Sequence, residues 1–168
     1  MLRDERPSLD GKHYRVSEAI NQPPPVGRIP VMIGGSGEKK TLRMAAQYAD
    51  ESNLTCPIDE VPRKLDALAA HCERLGRDRS QITVSKQAAV CIAPTRDEAL
   101  ADMAAFLAPR GLDLLSMDAE TQKQMLAVLV WGGPDEVAEG LTAFLDSGVD
   151  GLTCSLPANG HNPERVEL

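Results

Sequence analysis

The sequence predicts an α/β fold in which parallel strands alternate with helices. Four short apolar segments alternate with stretches that carry apolar residues at helical spacing, and none is joined to the next by a hairpin turn signal. Aromatic residues make up only 3% of the chain although 42% of it is hydrophobic, which indicates a core of Ala, Leu, Val and Ile. Such alternation favours βαβ units with right-handed crossovers.

The length of the chain sets the size of this sheet. A complete eight-stranded (β/α)₈ barrel takes about 250 residues, so four strands in 168 residues correspond to about half of a barrel. An open doubly wound sheet of the flavodoxin type is the alternative that the pattern leaves open. We expect an extended lead-in segment over 1–28, a half-barrel domain over 29–156 and a polar tail over 157–168.

The first strand and helix follow the proline-rich lead-in segment. The apolar run at 29–33 predicts a buried strand, and two glycines end it. Apolar residues then recur at helical spacing and predict a helix over 38–49 with Ser36 as its cap. These apolar residues are Leu42, Ala45, Ala46 and Ala49.

The second unit repeats this order. Residues 50–54 predict a short strand, and a helix over 62–75 follows with Gly76 as its end. Residues 82–92 are rich in β-branched side chains and predict the third strand.

The rest of the chain holds three more helical segments. Thr95 and Glu98 have the spacing of a capping box and predict a helix over 97–107. An irregular insertion is expected over 108–119 and a helix over 121–130. Pro134 begins the last predicted helix, Gly148 ends it, and 149–156 is the fourth strand.

Composition excludes several classes of function. With 18 basic and 25 acidic residues the net charge is −7, so a nucleic acid backbone would be repelled. No apolar run is long enough for a signal core or a membrane span, and we expect a cytoplasmic protein. The cysteines lie far apart and show no ligand spacing with the histidines, so we expect reduced thiols and no metal site. The cysteines are Cys56, Cys72, Cys91 and Cys154.

The turn at Gly34, Gly35, Ser36 and Gly37 is the main candidate for a functional site. Glycines allow the backbone to approach a ligand closely, and free N–H groups at a helix N-terminus bind anions. The turn is therefore interpreted either as a phosphate site or as a tight turn beside solvated lysines. It matches neither the P-loop nor the dinucleotide-binding glycine pattern.

Several segments resemble the luciferase-like monooxygenase family. The residues from Pro30 to Arg43, PVMIGGSGEKKTLR, carry the resemblance together with the AAQYAD that follows and Asn53. The segment 5–14 is similar to the stretch that leads into this strand in the family, and 132–137 with 148–150 is similar to its last helix and strand. More narrowly, the chain resembles the branch that uses the deazaflavin coenzyme F-420.

The resemblance implies a (β/α)₈ barrel of which this chain is the C-terminal half. It implies that Gly34, Gly35, Ser36 and Gly37 hold the phosphate of a cofactor, coenzyme F-420 or alternatively FMN. The expected function is hydride transfer or monooxygenation on a small organic substrate. Glu51 departs from the family, where a glycine follows the aspartate.

The family's first half, which supplies most contacts to the cofactor ring, is absent from this sequence. Catalytic residues are therefore not assigned. We expect completion by a homodimer or by a missing N-terminal half, with the start methionine lying inside a longer gene product. The alternative is a non-catalytic cofactor-binding half-domain or an inactive fragment.

Polar residues at the C-terminal ends of the predicted strands are further candidates, because barrel active sites lie there. They are Asn53, Thr55 and Cys56, then 93–95, then Cys154, Ser155, Asn159 and His161. His161 is a candidate proton donor or a solvated residue. Trp131 is either a platform for a ligand ring or a core residue.

Overall fold

The structure is a computed structural model, and it describes residues 6–168. The chain divides into two units, Met1–Val31 and Met32–Leu168. The first unit contains one short antiparallel pair, β1 (Leu9–Asp10) with β2 (Arg15–Val16), which the sequence did not indicate. The Arg15 guanidinium lies 2.7 Å from the Asp10 carboxylate across this pair.

The second unit is a five-stranded sheet in which every pairing is parallel. Its strands are β3 (Met32–Gly34), β4 (Glu51–Leu54), β5 (Thr83–Ile92), β6 (Val130–Gly132) and β7 (Gly151–Ser155). The helices are α1 (Thr41–Tyr48), α2 (Val61–Arg74), α3 (Arg96–Leu107), α4 (Ala119–Leu126), α5 (Pro134–Asp146) and α6 (Pro163–Val166). The predicted architecture of parallel βαβ units is confirmed.

The longest strand, β5, organises this sheet. It pairs with β4 at 83–86, with β7 at 85–89 and with β6 at 90–92. Among the described residues β3 pairs only with β4, and β7 only with β5, so each leaves one edge without a partner. The sheet therefore ends in two open parallel edges, as half of a barrel would.

The main core lies between the first part of the sheet and helices α1 and α2. Leu54 and Val84 pack there against Leu42 of α1 and Leu68 of α2, and all four are at most 1% exposed. The apolar residues that predicted α1 are fully buried, since one face of an amphipathic helix must be covered. This packing fixes the start of α1 relative to the end of β3.

Helices pack on both sides of the sheet near the C-terminal end of β5. Successive strand residues point to opposite faces, and Val90 lies in a cluster with Val137 of α5 whereas Cys91 lies in a cluster with Ala99 of α3. The insertion over 108–119 contains two short 3₁₀ turns, at Ala108–Arg110 and Leu114–Ser116. Helix α4 then leads back to the sheet.

Two predicted boundaries were wrong in ways that affect the architecture. The helix expected over 121–130 ends at Leu126, and Val130 instead begins β6, where it is 7% exposed and pairs with Val90. The sheet thus has five strands where four were predicted. The first strand begins at Met32, after Pro30, because proline has no N–H to donate to a ladder.

One side of the sheet carries mostly small or polar side chains. Along β5, the exposed or half-buried Thr83, Ser85, Gln87 and Ala89 alternate with buried residues that face the helices. We call this side the open face, and over these positions no helix among the described residues packs on it. Within residues 6–168, no helix is long and apolar enough to span a bilayer.

Candidate functional site

The turn between β3 and α1 is tied to the end of β4. The Gly35 N–H donates to the Asn53 carbonyl oxygen at 2.8 Å, and the Thr55 N–H donates to Ser36 Oγ at 2.9 Å. Gly35 has φ +114°, a conformation that side-chain-bearing residues rarely adopt. The glycine turn, residues 34–37, is therefore held in one conformation across the C-terminal end of the neighbouring strand.

The N-terminus of α1 is not capped as predicted. Ser36 was expected to cap a helix beginning at Glu38, but α1 begins at Thr41 and Lys40 stands at its N-cap without a side-chain hydrogen bond. The Ser36 hydroxyl instead accepts from Thr55, which draws it to the strand end. The first bond into the helix runs from the Leu42 N–H to the Gly37 carbonyl oxygen at 3.0 Å.

The backbone N–H groups of residues 36–41 consequently find no acceptor among the described residues. Unsatisfied N–H groups at a helix start carry a positive partial charge. They form an arrangement that suits an anion with several oxygen atoms, such as a phosphate group.

The cations around this turn lack carboxylate partners. Lys39, Lys40 and Arg43 are exposed, and within residues 6–168 none of them forms an ion pair. The acidic residue of this segment, Glu38, is turned away, because its carboxylate lies 2.8 Å from Lys64 Nζ on α2. The local field is therefore positive at the free N–H groups.

Glu38 belongs to a polar cluster that joins the start of α1 to α2. Lys64 Nζ contacts the carboxylates of both Glu38 and Glu60, at 2.8 and 2.9 Å. The hydrogen bond from Lys64 lowers the pKa of each carboxyl group, and the bond to Glu38 raises the pKa of Lys64. His71 Nε2 lies 2.8 Å from the Glu38 carbonyl oxygen, and the Arg74 guanidinium lies 2.8 Å from Nδ1 of the same ring.

This cluster predicts a pH dependence of stability. Because the folded-state pKa values of Glu38 and Glu60 are lowered, their stabilising contribution is present above the usual carboxyl pKa of 4.5 and is lost as the pH falls through the lowered values. We expect Lys64→Met to reduce the free energy of unfolding at pH 7, and this difference from the parent to shrink at pH 3. Urea unfolding at both pH values measures this difference in the free energy of unfolding, and substitution of the exposed Lys123 by Met is the control. An equal difference at both pH values would contradict the prediction.

Asn53, one of the candidates from the strand ends, connects three strands on the open face. Its side-chain amide donates to Ser85 Oγ of β5 and to Thr153 Oγ1 of β7, both at 2.8 Å. Its backbone carbonyl is the acceptor for Gly35. Asn53 therefore links the glycine turn to the far side of the sheet, and its role is positional.

The other sequence candidates do not assemble into one centre. Thr95 caps α3 by accepting from the Glu98 N–H at 3.2 Å, as the capping pattern predicted. Cys154 and Ser155 are exposed at the end of β7. Asn159 is 3% exposed and donates to the Ile92 carbonyl oxygen at 2.8 Å.

Four further candidates are not part of the glycine turn. His161 is exposed and lines a cavity of about 420 Å³ that also includes Asn159. The Arg96 guanidinium lies 3.9 Å from the centre of the Trp131 ring, so a cation already covers one face of this ring. Cys56 and Cys91 are buried, and burial raises the pKa of the Cys91 thiol to about 11, which keeps it protonated.

Two buried lysines were missed by the sequence analysis. Lys64 is 7% exposed and Lys86 is 5% exposed. Lys86 had a usable signal, since it lies between Val84 and Ala88 at the alternating positions of β5 that face the helices. Lys64 had a local signal only in Glu60, four residues before it, because the bond to Glu38 comes from another segment.

The fold and the glycine turn together define a class: a parallel α/β half-barrel with a turn of free backbone N–H groups, among the described residues, at the C-terminal end of a strand. The family model described as luciferase-like monooxygenase matches residues 1–151. The chain therefore belongs to the luciferase-like monooxygenase family. The resemblance seen in the sequence is confirmed.

The chain is similar to enzymes about twice its length. It is 28% identical to an F420-dependent glucose-6-phosphate dehydrogenase of Microbacterium testaceum (strain StLB037), over 96% of this chain and 52% of the relative. A solved F420-dependent secondary alcohol dehydrogenase, in complex with an F420-acetone adduct, superposes with a TM-score of 0.67 at 14% identity, covering 93% of this chain and 52% of that one.

A third similar protein is a flavin enzyme. The oxygenating constituent of 3,6-diketocamphane monooxygenase from Pseudomonas putida, solved with FMN, gives a TM-score of 0.61 at 16% identity and covers 95% of this chain and 54% of that one. The chain thus spans about half the length of the relatives it matches. The predicted half-barrel is confirmed over the open doubly wound sheet.

Proposed function

We propose that this chain is part of an oxidoreductase that acts on a small organic substrate, and that its glycine turn holds the phosphate of coenzyme F-420. The observation that carries the proposal is the set of free N–H groups over 36–41, flanked by cations that have no carboxylate partner among residues 6–168. A phosphate dianion would accept from those groups and neutralise Lys39 and Lys40. Gly34, Gly35, Ser36 and Gly37 are the proposed contacts.

The choice of coenzyme F-420 over FMN rests on the relatives. The dehydrogenase that shares 28% identity with almost the whole of this chain is F420-dependent, whereas an FMN enzyme is among the structural neighbours. Both cofactors present a phosphate, so the turn suits either. FMN is therefore the alternative ligand.

When bound, F-420 would supply a ring that accepts or donates a hydride. This chain would bind and orient the phosphate end of the cofactor. The free O–H of Ser36 is available for one phosphate oxygen, since its Oγ already accepts from Thr55. We assign no catalytic residue within this chain.

We further propose that the half-barrel is completed by a second copy or by an N-terminal half. The unpaired edges of β3 and β7 and the exposed side chains of Val31 and Met32 support this, because open parallel edges bind other strands. We expect the purified chain to sediment as a dimer. A monomer that remains soluble at all concentrations would contradict the homodimer.

The decisive experiment is a titration of the full chain with F-420 and with FMN, followed by cofactor fluorescence. We expect saturable binding of F-420 that inorganic phosphate competes away and that weakens as salt is raised. Lys40→Glu should weaken it about ten-fold, and the remote Lys123→Glu serves as the matched control. No binding of either cofactor by folded protein would refute the phosphate turn in this chain alone.

The second candidate is a non-catalytic cofactor-binding half-domain. It is favoured by the length of the chain, which covers 52% of its dehydrogenase relative. Turnover separates the two candidates: bound F-420 should be reduced when a substrate such as glucose 6-phosphate is added if the assembly is an enzyme. Tight binding without reduction across a panel of alcohols and sugar phosphates would favour the binding module.

A further inference from the structure

Lys86 is a buried cation on the side of β5 that faces the helices. Its side chain is 5% exposed, and its ammonium group lies 4.6 Å from the centre of the Phe144 ring of α5. A lysine at such a position is costly, because an ammonium loses its hydration on burial and needs compensation.

The compensation within the protein is incomplete. Lys86 Nζ donates to the carbonyl oxygens of Cys56 and Gln87, at 2.7 and 3.2 Å. No carboxylate from residues 6–168 forms an ion pair with it, and desolvation by burial lowers its pKa. An ammonium has three N–H donors, so one remains.

A cavity of about 540 Å³ opens beside this group. Most of its walls are apolar, and they come from the segment after β4, from β5, from the segment before β6 and from α5. The apolar wall residues are Cys56, Pro57, Ile58, Ala89, Ala127, Val128 and Phe144. The polar wall residues besides Lys86 are Thr55, Gln87 and Asp59, and the Asp59 carboxylate is exposed at the surface. The volume is typical of pockets that enclose a small organic molecule, and the single buried charge suits a ligand with one charged end.

We propose that this cavity binds a small apolar molecule carrying one carboxylate group, with Lys86 as its counter-charge. A carboxylate fits better than a phosphate, since one free N–H donor and one positive charge match a monoanion. The cavity includes none of the proposed phosphate contacts, residues 34–37, although Thr55 of its wall bonds to Ser36, and its charged group lies on the helix-facing side of β5. The inference therefore does not depend on the proposed cofactor.

The test uses octanoate as the probe and octanol as the uncharged analogue of similar shape. Both are titrated into the full chain by calorimetry. The Lys86→Met variant removes the charge and keeps the length of the side chain. The Val128→Trp variant blocks the cavity from its rim, where Val128 is 79% exposed, and leaves Lys86 in place.

We expect octanoate to bind the parent chain and to lose about 10- to 100-fold in affinity in Lys86→Met, as for loss of a charged hydrogen bond. Val128→Trp should also abolish octanoate binding, with an unchanged midpoint of urea unfolding. Octanoate should protect Lys86 from acetylation by acetic anhydride, read by mass spectrometry, and should not displace F-420.

The inference is overturned if octanol binds as tightly as octanoate. It is equally overturned if Lys86→Met retains octanoate, or if octanoate gives Lys86 no protection from acetylation. Should Lys86→Met fail to fold, Val128→Trp decides, and unchanged octanoate binding in that variant refutes the site. Because Gly34→Asp acts only at the glycine turn, it should leave octanoate binding intact, which separates failure of this inference from failure of the proposed cofactor.

Discussion

Replacing Gly34 by aspartate is expected to lower the affinity for F-420 about 100-fold or more. Gly34 is the last residue of β3, it does not have a positive φ, and a Cβ built on it meets no atom within 4 Å. The substitution is therefore tolerated by the fold. Repulsion between a carboxylate and a phosphate charge about 4 Å apart costs about 4 kcal/mol at the effective dielectric of a protein surface. This cost outweighs any favourable contact that the new side chain makes with the cofactor.

Gly34→Ala is the matched control for this prediction. Alanine adds the same Cβ without the charge, so it separates electrostatic repulsion from steric exclusion. We expect Gly34→Ala to retain affinity within about ten-fold of the parent, and both variants to unfold at the same urea concentration. If the aspartate variant bound F-420 as well as the alanine variant did, the phosphate would have to lie elsewhere.

The largest expected loss of stability follows from Arg77→Met. Arg77 lies beyond the end of α2, yet its guanidinium donates to carbonyl oxygens at the end of α1: those of Ala46 at 3.0 Å, Ala49 at 2.7 Å and Ala45 at 3.5 Å. α1 has no basic residue in its own last turn. The Ala45 carbonyl also accepts from the Ala49 N–H, so Arg77 mainly satisfies the carbonyl groups of Ala46 and Ala49 and the negative end of this helix.

We expect Arg77→Met to reduce the free energy of unfolding by about 2–4 kcal/mol, since hydrogen bonds from charged donors contribute about 1.5–3 kcal/mol each. Urea unfolding followed by circular dichroism measures the change. Arg74→Met is the control, because Arg74 is exposed and, within residues 6–168, its side chain bonds only to His71 of its own helix. A similar loss in both variants would show that the bonds to α1 are not the cause.

Sequence patterns were sufficient for the elements whose periodicity is local. α1 and α2 were found because their apolar residues repeat at helical spacing over many residues, and β5 because β-branched residues are frequent over its whole length. β6 was missed, since Val130, Trp131 and Gly132 are too few to show a period and are a strand only through pairing with β5. Such short elements are defined by tertiary contacts that a local pattern does not contain.

The candidate site was predictable in its location and only partly in its bonding. Glycines before a helix marked the turn, but Ser36 bonds to Thr55 across a strand instead of to its own helix. The competing partner is 19 residues away, so no short-range rule identifies it. The bond of Lys64 to Glu38 was hidden for the same reason, since these residues are 26 apart, whereas Glu60 lies only four residues before Lys64.

The amide of Asn53 also constrains the order in which this domain can fold. Its two acceptors lie 32 and 100 residues further along the chain, and closing longer loops costs more entropy and slows folding. β5 can pair with β4 early, yet β7 must arrive before the Asn53 amide has both acceptors. A nascent chain that has not yet emerged beyond residue 155 therefore lacks the pairing of β7 with β5 and one of the two acceptors of the Asn53 amide.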